Sequence, residues 1–141
     1  MGLLDDYSTG IGMPRPKWEH QLAMNRMHAR AYYELVPQGL VILTEATVTD
    51  DWDDLAPDLV IFDPHFQPLS IIEITTHRYK DDIIDKCCEL IERFPNAEYF
   101  VYDYEHQVLY MYSPADDCWL SSDQYELYSQ YLHHPVIEYL K

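Results

Sequence analysis

The stretch PDLVIFD (57–63), together with PLSIIEIT (68–75) just after it, decides how this chain folds. Both segments are short, rich in β-branched and apolar residues, and bounded by Pro or Asp, so each reads as a strand. The loop Asp63–Pro68 is short enough to join them as an antiparallel hairpin. Symmetric pairing then sets Asp58 opposite Glu73, Val60 opposite Ile71 and Phe62 opposite Leu69 on one face. Leu59, Ile61, Ile72 and Ile74 share the other face. With apolar side chains on both sides, the hairpin is expected in the middle of a sheet that is covered on each face.

The same register ends an apolar face in two carboxylates, with Cβ atoms about 5 Å apart. Opposed like charges are destabilising, and burying them adds a desolvation cost. Protonation of one acid relieves the clash, as does a Lys or Arg between them, or a divalent metal held by both. Oxygen ligands alone point to Mg²⁺ or Mn²⁺ rather than zinc.

Outward from the hairpin, residues 17–35 run without Pro or Gly, and Leu22, Met24, Met27, Ala31 and Leu35 recur at helical spacing. GLVILTEATV (39–48) reads as a strand, and Asp50, Asp51, Asp53 and Asp54 as a solvated turn. YKDDIIDKCCELIERF (79–94) is the clearest helix, with Ile84, Cys87, Cys88 and Ile91 on one face. AEYFVYDY (97–104) and HQVLYMYS (106–113) form a second hairpin through Glu105. SSDQYELYSQYL (121–132) reads as a last helix, its stripe of Tyr125, Tyr128 and Tyr131 packing a core, with a short tail after Pro135. Residues 1–16 contain Gly10, Gly12, Pro14 and Pro16 and read as irregular. The expected order is α-β-β-β-α-β-β-α, a central mixed sheet flanked by helices in one domain spanning 1–141.

Composition narrows the function. No stretch reaches the roughly 18–20 apolar residues of a membrane span, and the first residues lack the basic start and apolar run of a signal peptide. A cytoplasmic protein is the expectation. Cys87, Cys88 and Cys118 show neither a disulfide framework nor metal-site spacing. The net charge of −16 opposes general nucleic-acid binding. Eight of the nine basic residues nevertheless fall in two stretches, Arg15 to Arg30 and Arg78 to Arg93.

Pro57-Asp58, a short gap, then Glu73-Ile74-Thr75 resembles the PD…(D/E)-x-K signature of the restriction-endonuclease-like superfamily. PDLVIFD, IIEIT, a Lys-bearing helix and NAEYFVYDY occur in the order seen in the bacterial Uma-type endonucleases, which the chain resembles over about 57–112. The resemblance implies a restriction endonuclease-like core and hydrolysis of DNA phosphodiesters. It implies Mg²⁺ (or Mn²⁺) held by Asp58, Glu73 and the backbone carbonyl of Ile74. Glu19 or Glu34 would be the accessory acid, and His77 a phosphate contact. The superfamily lysine belongs two residues after Glu73, where this chain has Thr75, whose hydroxyl cannot supply that charge. Two lysines remain as candidates. Lys86 is favoured by resemblance, although an ungapped match leaves it one residue early. Lys80 is favoured by helical geometry, since it lies near the middle of the arc marked by Ile84, Cys87 and Ile91. Thr75, the charge and the 13 tyrosines support an alternative from another class: a catalytically inactive nuclease-fold protein that binds a protein partner or forms a homodimer.

Overall fold

The structure, a computed structural model, describes residues 18–51 and 54–141. The expectation of an irregular segment over 1–16 lies outside the described residues. Helix α1 (Trp18–Leu35) leads through a 3₁₀ turn to Gly39, whose left-handed φ of 75° lets its N–H reach back to the carbonyl of Val36. Strands β1 (Val41–Thr44), β2 (Leu59–Phe62) and β3 (Pro68–Thr75) follow. Helix α2 (Lys80–Arg93) comes next, then β4 (Glu98–Asp103), β5 (Val108–Ser113), β6 (Cys118–Ser121) and the single turn α3 (Ile137–Leu140). The six strands lie side by side in chain order, and every neighbouring pair is antiparallel except β3–β4. That parallel pair needs a crossover, and α2 supplies it.

The deciding hairpin folds in the expected register over most of its length. Leu59 faces Ile72, Val60 faces Ile71 and Ile61 faces Ser70. At the loop end the register slips, so Phe62 pairs with Pro68 rather than Leu69. The extra residue makes a bulge at the point where Pro68 has no N–H to give the ladder.

Both faces of the sheet are covered, as the alternation requires. Leu59, Ile61, Ile72 and Ile74 pack with Met24, Met27, Ala31 and Leu35 of α1 and with Leu132, Val136 and Tyr139 of the C-terminal segment. Val60, Phe62, Ile71, Tyr99 and Val101 pack on the opposite side with Cys87 and Leu90 of α2 and with Val48. Arg93 grips Asp54 with both guanidinium nitrogens, at 2.8 and 2.7 Å, and so ties the loop that enters β2 to the end of α2.

Two expectations fail near the C-terminus. Residues 121–132 form no helix; Ser121 closes an additional strand, β6, and the rest is irregular. Its backbone is captured by distant partners: Glu98 accepts the N–H of Gln130 at 2.8 Å and the Ser129 hydroxyl at 2.6 Å, and Gln38 donates to the Tyr131 carbonyl. These bonds, with Leu127 and Leu132 buried, outweigh helix propensity. Tyr125 and Tyr128 consequently stand exposed instead of packing a core. The expected tail contains α3, docked beside α1, where Arg30 donates to the Glu138 carbonyl.

Candidate functional site

Asp58 immediately precedes β2, and Glu73 lies in β3 beside it. The Asp58 N–H donates to Glu73 Oε1 at 2.9 Å, and the Ile74 N–H donates to Asp58 Oδ2 at 2.7 Å. Glu73 thus holds the Asp58 backbone, and Asp58 the backbone of the residue after Glu73. Glu73 is buried, and the Asp58 side chain keeps 20% of its surface exposed, so the pair opens to solvent on the Asp58 side.

Helix α2 brings a cation to this pair. Lys86 Nζ lies 2.5 Å from Glu73 Oε2. The contact is a charged pair within hydrogen-bond distance, on an oxygen that is sealed from solvent. Lys80 goes elsewhere: its Nζ sits over the Tyr110 ring, 4.8 Å from the centroid, and 3.5 Å from Asp81. The helical arc tells which side of α2 faces the sheet but not how far along it. Lys80 and Lys86 are separated by about 9 Å of helix axis. The buried residues of α2 are Cys87 and Leu90, which moves the inward face toward Lys86.

Helix α1 adds His20, for which no role was expected. His20 Nε2 lies 3.3 Å from Asp58 Oδ2, and its ring meets Tyr104 edge-on. His20 Nδ1 is buried without a hydrogen-bond partner. Only the packing of α1 across the sheet brings residues 20 and 58 together, so no local spacing signals it. Glu34, near the far end of α1, accepts bonds from the Tyr139 hydroxyl and the His133 N–H and serves the C-terminal segment. Glu19 is exposed. Thr75 is buried, and its hydroxyl donates to the Thr76 carbonyl at 3.0 Å.

The electrostatics share one sense. Burial raises the Glu73 carboxyl above its usual range; Lys86 opposes that and Asp58 adds to it. Burial pulls the Lys86 ammonium down, but the charges of Glu73 and Asp58 outweigh burial and hold it above its ordinary value. His20 is likewise raised, burial being overcome by Asp58 and Glu73. Each of these groups binds its proton more tightly than in water, Glu73 chiefly through burial and Lys86 and His20 through the two acids beside them.

No family model and no curated protein matches the chain. Among solved structures, it is similar to a candidate nuclease belonging to DUF820 from Anabaena variabilis ATCC 29413. The TM-score is 0.67 at 15% identity, over 91% of this chain and 85% of that one. The fold is nuclease-like. Within this nuclease-like sheet the acids sit on the central strands β2 and β3, and the lysine arrives from the crossover helix between β3 and β4. Among the described residues, no helix is long and apolar enough to cross a membrane.

Proposed function

We propose that this chain is a metal-dependent endonuclease of the PD-(D/E)XK type, resembling the Uma-type proteins, that hydrolyses DNA phosphodiester bonds in the cytoplasm. The observation that carries the reading is the meeting of Lys86 with Glu73 beside Asp58, an ammonium delivered to the place that Thr75 leaves without one.

The donor set fits a hard divalent ion. Two carboxylates face one ammonium, and the Asp58 side of the pair is open to solvent. Asp58 and Glu73 would hold Mg²⁺ or Mn²⁺. The Ile74 carbonyl, on the same strand edge as the N–H that binds Asp58, would complete the protein ligands. Once bound, the ion would lower the pKa of a water and stabilise charge building on the scissile phosphate. Lys86, an ammonium paired with Glu73, would support negative charge developing beside the ion. His20 fixes the Asp58 carboxylate from the α1 side.

The test is calorimetric titration of Mg²⁺ and Mn²⁺ with and without duplex DNA, alongside cleavage assays. Wild type should bind and cleave, and Asp58→Asn and Glu73→Gln should lose both. Cleavage surviving in either variant refutes the assignment. A second reading, an inactive nuclease-like fold serving as a protein-binding or homodimer module, is favoured by Trp18 and Tyr33, 85% and 80% exposed on α1. It predicts a defined oligomer by light scattering and no ion binding even with DNA present.

A further inference from the structure

A second group of metal-ligating side chains stands at the end of the parallel pair β3–β4, with no part in the Asp58–Glu73 arrangement. Asp103, the last residue of β4, is completely buried and pairs in register with Thr75. Its Oδ1 accepts the N–H groups of Glu105 and His106 at 3.0 and 3.1 Å, which fixes the carboxylate plane. Its Oδ2 faces two imidazoles. His77 Nδ1, from the turn leaving β3, lies 2.8 Å away, and His106 Nδ1, from the β4–β5 turn, lies 3.6 Å away. The two rings stack with centroids 4.1 Å apart. One ligand atom from each of the three residues lies within 4.8 Å of the others. Glu105 accepts the His77 N–H at 3.0 Å, which holds the first histidine's backbone against the turn carrying the second.

A divalent ion bound at about 2.0–2.2 Å sets its nitrogen and oxygen ligands about 3–3.6 Å apart. The two separations around Asp103 Oδ2, 2.8 and 3.6 Å, lie close to that range. Both imidazoles are about half exposed, at 51% and 57%, which leaves the site open to solvent. Two imidazoles with one carboxylate suit zinc and its first-row neighbours rather than Mg²⁺. The backbone bonds to Oδ1 hold the carboxylate still while Oδ2 faces the imidazoles.

We propose that His77, Asp103 and His106 form a binding site for a divalent transition ion of the zinc class. The ligands are Nδ1 of each histidine and Oδ2 of Asp103, and the open positions go to water. The ion joins the exit of β3 to the β4–β5 turn and is chemically distinct from an oxygen-ligated ion on Asp58 and Glu73.

The experiment is calorimetric titration of Zn²⁺ into the full chain under reducing conditions, with melting curves. The proteins compared are wild type, Asp58→Asn, His77→Ala, His106→Ala and the double histidine variant. Wild type and Asp58→Asn should each bind one Zn²⁺ and melt at a higher temperature with it. Each single histidine variant should lose at least tenfold in affinity, and the double variant should gain no Tm. Nitrogen NMR of the unmodified chain provides a reading independent of variant folding: Zn²⁺ should shift Nδ1 of two histidines only. Zinc binding that persists in the double variant, or is lost with Asp58→Asn, overturns the proposal. So does a wild type that binds none, which would leave the histidines as simple hydrogen-bond partners of Asp103.

Discussion

Glu73 is where burial and charge compete most directly. It meets the Asp58 N–H on one oxygen and Lys86 on the other. Removing Lys86 leaves a buried carboxylate compensated by the Asp58 N–H alone unless it takes up a proton. A carboxyl raised above its unfolded value contributes stability that is present below that value, 4.5, and is lost as pH rises through the folded value. Lys86→Ala should therefore cost about 3 kcal/mol against wild type at about pH 8 and much less at about pH 5, read by urea unfolding. His20 gives a second pH signature. Its folded pKa is raised, so its bond to Asp58 stabilises fully below the unfolded 6.5 and fades as pH rises through the folded value. His20→Gln should melt below wild type at about pH 6 and approach it at about pH 9. Of these groups, the acid pair was legible because a strand's period of two fixes what a hairpin sets opposite what. The choice between Lys86 and Lys80 was not, since a helical wheel discards axial position. The contact of His20 with Asp58 was not legible, because it depends on how α1 crosses the sheet.

Helix α2 owes its place to tertiary contacts as much as to pattern. Tyr99 of β4 shares its hydroxyl proton between the carbonyls of Leu90 at 2.9 Å and Phe94 at 2.7 Å, tying the last turn of the helix to the sheet. Tyr99→Phe should cost about 1 kcal/mol and speed amide exchange in the last turn of α2 while sparing β3. The opposite lesson comes from residues 121–132. Their spacing reads as a helix, yet Glu98 and Gln38 take the backbone groups a helix would need. A window of sequence cannot report partners more than twenty residues away. β6 went unread for a related reason: four residues, mostly half-exposed, leave too short a pattern. The five longer apolar runs, those holding β1 to β5, were readable as strands.

At the scale of the molecule, −16 of formal charge confronts a polyanion. Without divalent ions, duplex binding measured by fluorescence anisotropy should be undetectable near physiological salt. Adding Mg²⁺ or Ca²⁺ should restore it, and Asp58→Asn should abolish that gain. Moderate salt should relieve repulsion and not weaken the metal-free encounter, the reverse of an ordinary basic nucleic-acid binder. The mixed sheet was legible because element order and two-sided burial leave few arrangements; which surfaces its outer segments cover was not. The crossover has one more consequence. Since Lys86 reaches Glu73 from α2, the number of residues between Thr75 and Lys86 sets an angle as well as a length. One inserted residue within the helix swings the ammonium by about 100° and three or four return it, about a turn further along. The phase of this site is therefore quantised: its connection can lengthen by whole turns matched by a shift of the helix, but not by single residues.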